Sequence, residues 1–141
     1  MRISALADTG ALLALLDRND RWHQACLAAF KNFRLPLLTS SAVLTEFFHL
    51  IGDNTHEVKA AWAFVRSGVL SVAPMVDDDL AELEQLMDKY SDRPMDFADA
   101  TLVLLARRHT LNTVFTIDFN DFETYRIEGR KRFRILPARS V

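Results

Sequence analysis

The sequence predicts an α/β fold, a mostly parallel sheet sandwiched between helical layers. Three observations predict it. Short apolar runs alternate along the chain with longer stretches of helical periodicity, the pattern of βαβ units. With 141 residues, half of them apolar and 26% charged, the chain fits a single domain, 1–141, with a sizeable core. Four carboxylates, Asp8, Glu46, Asp99 and Asp118, stand beside apolar segments near the ends of the expected elements. A charge there is expensive unless something compensates it.

The elements follow in order. Residues 2–7 read as a buried strand that ends on Asp8. Residues 9–16 (Thr9-Gly10-Ala11-Leu12-Leu13-Ala14-Leu15-Leu16) are too long and too rich in Leu and Ala to continue it, so they read as a helix. Asp20 is the expected cap of a helix over about 21–33, with Trp22, Ala25, Cys26, Ala29 and Phe33 on one face. Residues 36–39 form a short strand. Ser40 or Ser41 then caps a helix over about 42–51, ended by Gly52. A helix over about 55–66, ended by Gly68, leads into a strand at 70–73.

Asp77-Asp78-Asp79 opens a helix that runs to about Tyr90, where acids in the first turn suit the helix dipole. Residues 91–94 are a loop. Asp96 caps a helix over about 97–109, a strand covers 113–117, and a last strand lies near 133–136. Alternation in Arg132-Phe133-Arg134-Ile135-Leu136 suits an edge strand protected by charge.

Charge is unevenly spread around a net of −2: residues 77–99 carry nine acids and two bases, residues 126–139 six bases and one acid. The basic segment suits either a solvated surface or contact with nucleic acid. No apolar run approaches the roughly 20 residues that cross a bilayer, and the N-terminus lacks the h-region of a secretory signal. The one cysteine, Cys26, has no internal partner and reads as a small buried filler, so a reducing cytoplasm is the expected compartment. His23, His49, His56 and His109 lack zinc-ligand spacing.

Ligand sites of open α/β sheets lie at the carboxyl ends of the strands, near a switch in strand order. Asp8 and Asp118 both end strands, and as sheet neighbours they meet at one edge. Asp99 opens the helix before Asp118's strand, and a right-handed crossover returns its N-terminus to that edge. Glu46 stands in the second turn of a helix that follows a strand. Clustered acids repel unless protons or a hard divalent cation relieve them. Each acid also has an ordinary role open to it. Asp8 suits a helix cap, Asp96 and Asp99 have capping-box spacing, Glu46 fits a solvated stripe with His49 and Asp53, and Asp118 suits a turn.

Taken in order, Asp8-Thr9, Ser40-Ser41-x-x-x-x-Glu46, Phe97-Ala98-Asp99-Ala100 and Thr116-x-Asp118-x-x-Asp121-Phe122 resemble a PIN domain, most of all the VapC-type toxins of toxin–antitoxin pairs. Asp17-Arg18-Asn19-Asp20-Arg21-Trp22-His23 is similar to a segment common there. No motif is specific alone; the ordered set, across essentially the whole chain, is. The resemblance implies a three-layer α/β/α sandwich and a Mg²⁺- or Mn²⁺-dependent ribonuclease. It implies a homodimer whose site a cognate antitoxin blocks. Asp8, Glu46, Asp99 and Asp118 match the family's acidic quartet. Asp96 and Asp121 are extra acids that would share or replace a ligand role. Thr9, Thr116 and Arg93 are candidates for carboxylate or phosphate contacts.

Rival chemistries fit less well. Asp8-Thr9-Gly10 is the tripeptide of aspartic proteases, but those are all-β. An aspartyl phosphatase needs a second Asp where Gly10 stands. No Gly-x-x-x-x-Gly-Lys or Gly-x-Ser-x-Gly occurs. A Mg²⁺-binding phospho-acceptor domain needs a Lys after a late strand, and none follows residues 113–117. A catalytically inactive module of the same fold, gripping RNA or a protein helix, is the non-enzyme alternative.

Overall fold

A computed structural model describes residues 2–139. Five strands form one sheet: β1 (Leu6–Ala7), β2 (Leu37–Ser40), β3 (Leu70–Ala73), β4 (Thr113–Phe115) and β5 (Arg134–Leu136). Their order is β3-β2-β1-β4-β5 and every pairing is parallel. Seven α-helices are described: α1 (Thr9–Leu16), α2 (His23–Lys31), α3 (Ser41–Ile51), α4 (Thr55–Arg66), α5 (Leu80–Lys89), α6 (Phe97–His109) and α7 (Phe119–Thr124). The architecture is a three-layer α/β/α sandwich. Among the described residues, no helix is long and apolar enough to cross a membrane.

The sheet order decides where chemistry is possible. β1 is central, with β2 on one side and β4 on the other, at registers Leu6↔Leu38 and Ala7↔Phe115. Strand order reverses between β1 and β4, and open α/β sheets bind ligands outside the carboxyl ends of strands at such a switch point. Asp8 leaves β1 there and Thr116-Ile117-Asp118 leaves β4 there. β5 pairs only with β4 and lies at the sheet edge, with Arg132 and Arg134 exposed around a buried Phe133, as the alternation predicted.

Helix α6 is the central support. Residues Ala98 to Ala106 are all buried, so its inner turns are apolar all round rather than amphipathic. The polar Thr101 within it is satisfied, donating to the Ala98 carbonyl at 2.6 Å and pairing with the Ser40 hydroxyl at 2.7 Å. Arg107, Arg108 and His109 complete its last turn, where cations oppose the helix dipole. Phe115 of β4 is fully buried against Phe30 and Phe33, with ring centroids 6.1 and 5.4 Å away, which docks α2 on the sheet. Gly10 lets the first turn of α1 approach the strand exit, since a Cβ there would meet Ile117 Cγ1 at 3.0 Å. Cys26 is a buried filler whose thiol burial pushes up to about 12.

Several boundaries differ from the sequence expectation. The first strand is only Leu6–Ala7, although the Ala5 carbonyl still accepts from the Leu38 N–H. Asp20 does not cap α2 directly. Its carboxylate accepts from the Trp22 N–H in a turn, and the helix begins at His23. The acidic run splits, with Asp77–Asp79 forming a 3-10 turn before α5. Asp79 closes that turn by accepting from the Val76 N–H and by pairing with Arg108. β4 stops at Phe115, although the Thr116 N–H still donates to the Leu136 carbonyl at 3.0 Å. Where a turn was open at residues 118–122, the chain forms α7, held by buried Phe119 and Phe122 three residues apart.

Candidate metal centre

Asp8 is 5% exposed at the carboxyl end of β1. Its backbone N–H donates to the Phe115 carbonyl at 2.9 Å, which ties β1 to β4 at this point. It precedes α1 but its side chain makes no cap bond to that helix. Its Oδ2 instead accepts from the Thr116 hydroxyl at 2.8 Å. The same hydroxyl oxygen accepts from the Asp118 N–H at 3.0 Å. Thr116 therefore links both strand-end acids. Thr9 is turned away, its hydroxyl donating to the Val43 carbonyl at 3.4 Å.

Asp99 is also 5% exposed, in the first turn of α6. Asp96 caps that helix, accepting from the Asp99 N–H at 2.8 Å. Of the two acids with capping-box spacing, only Asp96 caps; Asp99 Oδ2 accepts from the buried Tyr125 hydroxyl at 2.7 Å. Glu46, half-buried in the second turn of α3, is close enough for its charge to act on Asp8. Oxygens of Asp99, Asp118 and Asp121 all lie within 4.8 Å of one another. Arg93 stands at the rim, 3.7 Å from Asp121 Oδ1 and donating to the Thr124 hydroxyl at 2.9 Å. Among the described residues it makes the one ion pair that reaches the cluster.

The electrostatics follow from that shortage of cations. Burial, then the charges of Glu46 and Asp96, push the Asp8 carboxyl up to about 6 against the pull of the Thr116 and Thr9 hydrogen bonds. Burial, then Asp8 and Asp96, lift Asp99 to about 8. Burial, then a hydrogen bond and charge from Asp121, lift Asp118 to about 7. Burial and the bond to Asp99 push the Tyr125 hydroxyl up, so it stays a donor at all ordinary pH. Carboxyls perturbed by burial and by one another at a strand switch point make this group the candidate site.

The donor set fits a hard cation. It consists of carboxylate oxygens without thiol or imidazole, the preference of Mg²⁺ and Mn²⁺ rather than zinc. No histidine belongs to the trio of close acids: His23 Nδ1 meets the Ala14 carbonyl at 2.7 Å, His56 and His109 are exposed, and exposed His49 lines a hollow beside Glu46 and Asp96. Topology thus brings Asp8, Glu46, Asp96, Asp99, Asp118 and Asp121 to one edge. Tyr125 was not foreseen, because nothing in Glu123-Thr124-Tyr125-Arg126 signals where its hydroxyl points.

The model of the PIN domain matches residues 5–128. The chain belongs to the PIN domain family. As a PIN domain it is 30% identical over 135 residues to ribonuclease VapC26 of Mycobacterium tuberculosis, covering 94% of this chain and 99% of the relative. The crystal structure of VapC20 of the same species, a toxin that cleaves the sarcin-ricin loop, superposes with a TM-score of 0.73 at 24% identity, over 84% of this chain and 94% of that one. VapBC2 of Rickettsia felis, solved on a promoter DNA fragment, matches with a TM-score of 0.65 at 11% identity, over 95% and 98% of the two chains. These two structures support the fold of the PIN domain; the closer sequence relative also aligns across nearly the whole chain.

Proposed function

We propose that this PIN domain is a Mg²⁺- or Mn²⁺-dependent endoribonuclease and the toxin of a type II toxin–antitoxin pair. The observation that carries the proposal is the buried carboxylate group at the β1/β4 switch point, which lacks enough cationic partners to be stable ionised and empty-handed. The relationship to a VapC ribonuclease over almost the full chain supports the same reading.

Asp8, Asp99 and Asp118 would hold the cation, with Asp121 beside them, Asp96 at the margin and Glu46 either a further ligand or an outer partner. Bound there, a divalent ion supplies Lewis acidity at the phosphoryl oxygens and an acidified water. Thr116 fixes Asp8 through its hydroxyl and the Asp118 backbone through its oxygen. Glu46, on the α3 side, orients a water toward the scissile phosphate. Arg93, half-exposed at the rim, contacts a phosphate of the RNA strand. The groove of Leu13, Leu16, Leu50 and Ile51, edged by Asp17, Asp20 and Glu57, suits an amphipathic basic helix of an antitoxin. Exposed Val76, Leu80 and Phe97 offer apolar area for a homodimer in the cytoplasm.

Purified protein incubated with total RNA is expected to cut it in Mg²⁺ or Mn²⁺ and not in EDTA. Asp118→Asn and Asp8→Asn are expected to lose cutting while keeping the native circular dichroism. Full metal-dependent turnover by either variant removes that residue from the mechanism. RNA binding without turnover in either ion would favour the inactive module instead.

A further inference from the structure

Tyr125 lies one residue beyond α7, and its ring is wedged between two others. Ring centroids of Tyr90 and Phe122 stand 5.1 and 5.2 Å away, both edge-on. Tyr125 is 2% exposed. The ring is packed on both sides, and the hydroxyl reaches Asp99 Oδ2 at 2.7 Å. Tyr90 is in turn fixed, its hydroxyl accepting from the Arg126 N–H at 2.8 Å. An aromatic pair anchored to the backbone after α7 therefore holds one oxygen of Asp99, which with Asp8 is one of the two buried acids of the centre.

The second buried acid is held the same way. Asp8 Oδ2 accepts from Thr116. Each carboxylate has its Oδ2 engaged by a buried protein hydroxyl. A carboxylate so held favours single-oxygen coordination, which suits the small octahedral shell of Mg²⁺ or Mn²⁺. Ca²⁺, larger and more flexible, readily takes both oxygens of a carboxylate.

We infer that Tyr125 is a positioning residue of the metal centre: its hydroxyl holds Asp99 as a one-oxygen ligand and thereby favours Mg²⁺ or Mn²⁺ over Ca²⁺. This rests on the metal-centre reading given above. Removing such an outer partner of a ligand lowers metal affinity about 10- to 100-fold. Tyr125→Phe keeps the ring and its edge-on contacts and deletes only the hydroxyl.

The test is calorimetric titration of the full chain with Mn²⁺ and separately with Ca²⁺, for wild type, Tyr125→Phe and Asp99→Asn. Melting without metal is followed alongside. Tyr125→Phe is expected to weaken Mn²⁺ at least 10-fold while Ca²⁺ changes by less, so the Mn²⁺/Ca²⁺ affinity ratio falls. A purely structural tyrosine would lower the metal-free melting temperature yet leave both affinities and their ratio unchanged, and that result overturns the inference. Equal weakening of both ions overturns the selectivity claim. If Asp99→Asn also leaves Mn²⁺ binding intact, the metal-centre reading itself fails. Loss in Asp99→Asn with no change in Tyr125→Phe fails the tyrosine alone.

Discussion

Asp8→Asn is expected to abolish cleavage and, without metal, to make the protein more stable. Burial lifts the carboxyl from 3.8 to about 6. At about 1.4 kcal/mol per pH unit, holding Asp8 ionised in the metal-free fold at pH 8 costs about 3 kcal/mol. An asparagine removes that cost and still offers Thr116 an oxygen acceptor. The value of about 6 already includes the pull of that bond, so the gain is about 3 kcal/mol, and at about 3 °C per kcal/mol for a chain of this size the melting temperature rises by about 9 °C. The sign depends on pH. A carboxyl raised in the fold contributes stability that is complete below about 4, its unfolded value, and is lost as pH rises through about 6. The gap between variant and wild type is therefore wide at pH 8 and closes by about pH 3.5. Thermal melts in EDTA at those two pH values measure it. A variant that melts below wild type at pH 8, or a gap that does not depend on pH, refutes the account of Asp8 as a buried, uncompensated acid.

Two other perturbations test separate parts of the structure. Millimolar Mg²⁺ is expected to raise the wild-type melting temperature at pH 8 and hardly at pH 5, because the ion needs ionised carboxyls and protons compete for Asp8, Asp99 and Asp118, all lifted into the range of about 6 to 8; equal shifts at both pH values contradict this. Thr110 ends α6 in the left-handed region at φ 54°, a costly conformation for a β-branched residue, and it is exposed. Thr110→Gly is expected to stabilise the fold by about 1 kcal/mol in urea unfolding, and destabilisation would show that the threonine side chain contributes something there.

Much of the fold was legible because its signals are local. The Leu/Ala run of α1, the Gly68 end of α4, and the Asp96 cap of α6 each record a short-range preference, and those elements lie close to where the sequence places them. The misjudged places depend on distant partners. β1 is short because its pairing is limited by β2 and β4 on either side. α7 exists because Phe119 and Phe122 find a core to enter; residues 118–122 carry turn chemistry as well as helical spacing, and only packing chooses.

The candidate site divides along the same line. Sequence alone determined which residues carry negative charge and that they stand at element ends, since charge beside an apolar run is visible without coordinates. It also determined that they share an edge, because parallel βαβ connections leave little choice of side. Only the tertiary structure decided which oxygens come within 4.8 Å, that Asp121 joins Asp99 and Asp118, that Thr116 braces Asp8, and that Tyr125 holds Asp99. Those are contacts across 26 and 108 residues of chain. Their geometry is set by packing at the scale of single ångströms, and no local preference in the sequence encodes that.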